Sequence, residues 1–182
     1  LATTEVSDFT VCFTYCLCTL SKITSKAYDS LFSATALVGK SLGNIMEKIL
    51  DISVDLDKWK ESLPESFKPG KDILISFRGQ KPSDNALIVQ CIIDEARSQL
   101  LLLHFSYFFH VMIVNRMAFK VPWNAMMNKK QPTQDEEIQK STNSYLRCLD
   151  AARQILRLTR YLSKGMTHMI NVCLFYPISA FI

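Results

Sequence analysis

One long apolar stretch, residues 83–120, constrains the fold of this chain more than any other feature. Pro82 precedes the stretch, Pro122 follows it, and neither Pro nor Gly interrupts it. A run of this length that is rich in Leu and Phe predicts a helix rather than a strand. Because such a helix is apolar almost all round, other helices or lipid must surround it. Within residues 100–114 the polar exceptions are His104, Ser106 and His110.

The composition fits an all-α domain. A chain of 182 residues can bury a sizeable core, and 48% of its residues are hydrophobic. Only five Gly and six Pro are present, which argues against disorder and against a turn-rich β fold. We therefore predict a single multi-helix domain over residues 1–182, built around a central helix at about 83–120. The chain stops inside an apolar segment, so we expect it to be a fragment of a larger helical domain.

Apolar residues at spacings of three and four predict two helices before the central one. The first begins at Ser7 or Asp8 and ends near Phe32. The second covers residues 41–63 and ends before Pro64, which the next helical turn would not tolerate. Its buried side ends at Trp59, which we expect to be buried where this helix meets the central helix.

Two segments beyond these helices also carry patterns. A capping box formed by Thr133 and Glu136 predicts the start of a fourth helix. Alternating Ile73, Ile75 and Phe77 predict an extended strip over the helices. Residues 166–182 are apolar, which predicts a core helix that Pro177 interrupts.

Four blocks, taken in order, resemble the middle homology region of fungal zinc binuclear cluster transcription factors. The first is LSKITSKAYDSLFS at residues 20–33. The second is the helix end that carries Leu56, Trp59, Leu63 and Pro64. The third is LLLHFSYFFHVMIVNR at 101–116, and the fourth is CLDAARQILRL at 148–158, with paired alanines. Many members of the family continue with Pro after the Arg of the third block, whereas here Met117 follows Arg116.

The resemblance implies a nuclear regulatory and scaffolding domain without enzyme activity. It implies contacts with transcriptional co-regulators or with activation segments of the same protein, a small-molecule effector as a further option, and a homodimer as another. No cofactor is expected in this fragment. Zinc and DNA binding are expected in a separate segment, because the six-cysteine cluster of the family is absent from these residues.

The residues themselves predict no catalytic or metal site. His104 and His110 are six residues apart, so they point to different sides of one helix and cannot form an i, i+4 metal pair. Neither a nucleophile elbow nor a Gly-rich phosphate loop is present. Cys12 and Cys16 share a helical face, but no second pair of ligands stands near them in sequence, which favours core packing. The six cysteines are expected to be reduced thiols.

Two sets of residues are candidates for binding. Polar groups on the central helix must find partners, and Arg97, His104 and His110 could line a cavity for an effector. The alternative is that they meet backbone carbonyls, water or other side chains, such as Asp94 for Arg97. A basic stripe on the fourth helix could dock an acidic partner, or it could be a solvated face. The stripe consists of Arg153, Arg157, Arg160 and Lys164.

A membrane protein is the alternative interpretation. Arg97 and Arg116 bracket a possible span at residues 98–115, close to the ~20 residues that a bilayer requires. Two histidines and a serine lie inside this interval, and no neighbouring helix is comparably apolar. We therefore expect no membrane partner.

Overall fold

A computed structural model of the chain describes residues 2–71, 86–127, 135–162 and 175–178. These residues form four α-helices: α1 (Ala2–Ala27), α2 (Leu42–Ser62), α3 (Ala86–Met127) and α4 (Asp135–Leu158). A π-helical turn extends α1 over Tyr28–Phe32, and 3-10 turns cover Glu65–Phe67 and Thr159–Tyr161. Residues 175–178 form one more helical turn, and the described ranges contain no strand. The predicted all-α class is confirmed.

Each of these helices runs antiparallel to the helix that follows it. Between each pair of successive helices, contacts that lie later on one helix lie earlier on the other. The contacts are Thr19–Trp59 and Lys26–Asp55 between α1 and α2, and Ser53–Asn115 and Asp57–Tyr107 between α2 and α3. Between α3 and α4, Ala118 contacts Ser141, and the earlier residue Tyr107 lies near the later residue Arg147. It follows that α2 and α4 run parallel to each other on either side of α3.

The central helix α3 is enclosed by its neighbours. Six successive residues, 103–108, are all buried, which a helix permits only where other elements cover every side of it. In the described part of the chain, one helical stretch, Ile93–Phe119, is long and apolar enough to cross a membrane. The protein itself buries 67% of that window. This burial is what a core helix requires, and it favours the domain over the membrane alternative.

The predicted end of the central helix was wrong, because α3 continues through Pro122 to Met127. Proline has no N–H, so it leaves the carbonyl four residues earlier, that of Ala118, without its helical partner. The hydroxyl of Ser141 on α4 donates a hydrogen bond to the Ala118 carbonyl at 3.1 Å. The neighbouring helix thus supplies the donor that the proline removes, and the helix continues.

Replacing Ser141 with Ala is expected to lower the free energy of unfolding by about 1–3 kcal/mol, because the buried carbonyl of Ala118 would lose its donor. Urea unfolding followed by circular dichroism measures this change. Ser21→Ala is the matched control, since the Ser21 hydroxyl bonds only the Leu17 carbonyl of its own helix at an exposed site. The control should change stability by less than about 0.5 kcal/mol. Equal effects of the two substitutions would show that Ser141 does not compensate for Pro122.

The start and end of α2 follow the predicted signals. Ser41 caps the helix, with its hydroxyl accepting a hydrogen bond from the Asn44 N–H at 3.2 Å, and Leu63 and Pro64 follow its last residue. The predicted burial of Trp59 is confirmed, with 6% of its surface exposed. Four predictions fall outside the described residues: the Thr133–Glu136 capping box, the strip at 73–77, the position of Lys164, and the apolar segment 166–182 apart from its turn at 175–178.

Candidate functional site

A groove between α2 and α4 is the best candidate for a binding site among the described residues. Its volume is about 380 Å³, at the lower end of the range of small-molecule pockets. Tyr107 and Phe108 of α3 form its floor. Its lining comprises Asp57, Lys60, Tyr107, Phe108, Val111, Leu146, Arg147, Asp150 and Ala151.

Helical spacing places two opposite charges on each wall of the groove. Asp57 and Lys60 are three residues apart on α2, so both project toward the same side. Arg147 and Asp150 have the same spacing on α4, with the order of the charges reversed. Ala151 is 1% exposed, and its small side chain lets α4 approach α3 closely below these charges.

One pair of opposite charges, Asp57 and Arg147, forms a salt bridge across the groove. Both terminal nitrogens of the Arg147 guanidinium donate to the Asp57 carboxylate at 2.9 Å, which is the strong bidentate geometry. The Tyr107 hydroxyl also donates to Asp57, at 3.4 Å. The hydrogen bond to Asp57 raises the pKa of Arg147, and burial together with the charge of Asp57 raises the pKa of Tyr107. These contacts link α2 and α4 over the face of α3.

The second pair of opposite charges consists of Lys60 and Asp150, which do not form a salt bridge with each other. The ammonium of Lys60 lies 6.0 Å from the centre of the Tyr107 ring, at the outer limit of a cation–π contact. Neither Lys60 nor Asp150 forms an ion pair with any residue that the structure describes. The groove therefore holds two cations and two anions, and only one of each is neutralised by a partner.

His110 has both ring nitrogens engaged inside the protein. Its Nδ1 lies 2.6 Å from the carbonyl oxygen of Ser106, and its Nε2 lies 2.9 Å from the hydroxyl of Thr24 on α1. Burial lowers the pKa of His110, against the effect of the Ser106 carbonyl. These contacts are of the kind that the alternative interpretation expected for the polar residues of the central helix.

His104, unlike His110, is buried without well-formed hydrogen bonds at its ring nitrogens in the described part of the chain. Only 1% of its surface is exposed, and neither ring nitrogen makes a well-formed hydrogen bond within the described ranges. Burial lowers the pKa of His104 to about 4; the backbone of Phe67 opposes this shift and the charge of Lys60 adds to it. The ring is therefore neutral at neutral pH.

Arg97 pairs with Asp94 at 3.6 Å, as the sequence suggested it could. Its Nε is buried without a hydrogen-bond partner in the described part of the chain. Neither Arg97, His104 nor His110 lines the groove. Effector binding by these three residues stays a prediction.

Three residues of the basic stripe lie in the described part of the chain: Arg153 and Arg157 on α4, and Arg160 in the turn that follows it. Arg153, Arg157 and Arg160 are exposed, and the Arg160 guanidinium lies 4.7 Å from the centre of the Tyr161 ring. Neither Arg153 nor Arg157 pairs with an acidic group among residues 2–71, 86–127, 135–162 and 175–178. Their position leaves them accessible to an acidic partner, and docking of such a partner stays a prediction.

Cys12 and Cys16 of α1 pack in or against the core, whereas Cys18 is exposed. Cys16 is 1% exposed, and burial, together with neighbouring Cys12, raises its pKa to about 12. A thiol with so high a pKa is a poor source of the thiolate that binds metals. Among the described residues, no group of three or more His, Cys, Asp or Glu side chains is arranged to hold a metal ion.

Sequence reasoning missed the groove because its charges lie far apart along the chain. Asp57 and Arg147 are separated by 90 residues. A partial signal was present: each wall carries opposite charges three residues apart, and Tyr107 places a hydroxyl in the apolar central stretch. These patterns identify residues that need partners, but not which partners they meet.

Two curated proteins are similar to this chain over most of its length. It is 27% identical over 170 residues to an ABC-transporter-regulating transcription factor of Aspergillus oryzae, and 26% identical over 170 residues to one of Aspergillus fumigatus. Each alignment covers 91% of this chain but 17% of the relative. No known protein-family profile and no solved structure matches the chain. The similarity is thus to fungal transcription factors, not to enzymes, and it supports that class for the chain.

Proposed function

We propose that these residues form a regulatory domain of a fungal transcription factor, in the position of the middle homology region of zinc cluster factors. The observation that carries the proposal is the similarity to two fungal transcription factors across 91% of the chain. The order of the four sequence blocks supports the finer assignment. A nuclear location follows from this proposal, as does a zinc-containing DNA-binding segment elsewhere in the protein.

The domain would act by binding rather than by catalysis. Two surfaces suit such a role: the groove over Tyr107, where a small effector could bind, and the exposed arginines Arg153 and Arg157, where an acidic segment of a co-regulator or of the same protein could dock. Both surfaces involve α4, so binding at either one would bear on how α4 packs against the rest of the bundle.

A reporter assay tests the proposal. The chain is inserted between an unrelated DNA-binding domain and an unrelated activation segment, and transcription is compared with that of the same fusion lacking the chain. We expect the inserted domain to change reporter output at least severalfold, and Arg153→Glu with Arg157→Glu to reduce that change. The chain without the added DNA-binding domain should not activate the reporter. Output that is independent of the chain would contradict a regulatory role.

A further inference from the structure

We propose that the groove over Tyr107 binds a small zwitterion, specifically a free amino acid with an apolar side chain. The proposal rests on the proposed regulatory function for its biological meaning, because such a ligand would be the effector. The binding itself is inferred from the charges, the lining and the size of the groove.

The arrangement of the four charges identifies the polar part of the ligand. Because α2 and α4 run parallel, the closed pair of Asp57 and Arg147 is followed, three residues further along each helix, by Lys60 and Asp150. Those two residues occupy corresponding positions on opposite walls, and no described residue pairs with either of them. A ligand carboxylate would pair with Lys60 and a ligand ammonium with Asp150, which completes a second bridge between the walls.

The remaining lining identifies the apolar part. Phe108, Val111 and Leu146 line the groove beside the charges. The floor is held firmly, because the Tyr107 ring stacks on Trp59 at a centroid distance of 5.7 Å and meets Phe108 edge-to-face at 5.1 Å. An aliphatic or aromatic side chain can be buried against such a surface at little cost in reorganisation.

The charge balance disfavours ligands that carry only one kind of charge. A simple anion at Lys60 would also lie near Asp57 and Asp150, whereas a simple cation at Asp150 would lie near Arg147 and Lys60. Like charges brought together in this way penalise the wrong ligand. A zwitterion neutralises both Lys60 and Asp150, so the groove should bind it more tightly than a ligand that carries only one of the two charges.

Isothermal titration calorimetry of the purified chain tests the proposal with three matched probes. L-Phenylalanine carries both charges, 3-phenylpropionate lacks the ammonium, and 2-phenylethylamine lacks the carboxylate. We expect L-phenylalanine to bind and each analogue to bind at least about tenfold more weakly, which corresponds to about 1.4 kcal/mol.

Substitutions locate the binding. Lys60→Met and Asp150→Asn should each weaken the binding of L-phenylalanine at least tenfold, with circular dichroism confirming that the helices remain. Lys58→Met and Asp51→Asn are the matched controls, because both residues are exposed on α2 and neither lines the groove. The controls should bind as tightly as the unchanged chain.

Three results would overturn the proposal. They are no binding of L-phenylalanine at about 10 mM to folded protein, equal binding of 3-phenylpropionate or 2-phenylethylamine, and unchanged binding by the Lys60 and Asp150 variants. A negative result here can be told apart from failure of the proposed function, because the reporter assay detects regulation through any surface and needs no added amino acid.

Discussion

Replacing Trp59 with Ala is expected to lower the free energy of unfolding by about 3–5 kcal/mol, the range for truncation of a large core side chain. Trp59 is 6% exposed and stacks on Tyr107 of α3. Its indole N–H donates to the Thr19 hydroxyl of α1 at 2.9 Å. The substitution therefore opens a cavity where three helices meet and removes a hydrogen bond between α1 and α2. Urea unfolding followed by circular dichroism measures the loss.

Two further variants separate the causes of this loss. Trp59→Phe retains an aromatic ring but removes the N–H donor, so it should show the smaller part of the effect. Tyr15→Ala removes an aromatic side chain from the same bundle at a position that is 69% exposed, and should cost less than about 0.5 kcal/mol. A loss below about 1 kcal/mol for Trp59→Ala would contradict its role in joining the three helices.

Trp59 belongs to the second sequence block of the family resemblance, and the same stretch of α2 supplies two residues of the groove. Leu56, Trp59 and Leu63, which carry the second sequence block, are all buried in the core. Asp57 and Lys60 lie between them in sequence and line the groove instead. The core residues of this block therefore fix the rotation of α2 about its axis, and that rotation sets where the two charged side chains point. Substitutions in the core should consequently affect binding through the position of α2.

The helices could be predicted from the sequence because their signals are local. The spacing of apolar residues, the Ser41 cap and Pro64 each act within a few residues, and together they place α2 to within one residue of its observed start and end. The end of α3 could not be predicted in this way. Its continuation through Pro122 depends on Ser141, which lies 23 residues beyond the carbonyl that it satisfies. A local proline rule cannot include a donor from another helix.

The groove could not be predicted for the same reason. The partner of Tyr107 is 50 residues away, and the Thr24 partner of His110 is 86 residues away. The sequence indicates that polar residues on an apolar helix need partners, but the packing of the helices decides which partners they meet. From the sequence, His104 and His110 are equal candidates for binding an effector. In the folded chain both ring nitrogens of His110 have partners. Those of His104 make no well-formed hydrogen bond among the described residues.

The state of His104 predicts that acid destabilises the domain. Burial lowers its pKa to about 4 from a usual value of 6.5, so the unfolded chain takes up this proton more readily than the folded chain does. The free energy of unfolding therefore carries no penalty from His104 above about pH 6.5, and it decreases as the pH falls from about 6.5 toward 4. The full loss is on the order of 3 kcal/mol. His110, whose pKa burial also lowers, adds a loss of the same sign.

His104→Leu isolates this contribution. At pH 7.5 the variant should be at least as stable as the unchanged chain, because an apolar side chain of similar size replaces a buried ring that lacks well-formed hydrogen bonds. At pH 4.5 it should retain more of its stability than the unchanged chain does, and its remaining pH dependence should come from His110 and the carboxylates. Urea unfolding at both pH values measures the two differences. If the unchanged chain and the variant lost equal stability on acidification, the His104 ring would be able to gain its proton without leaving the core.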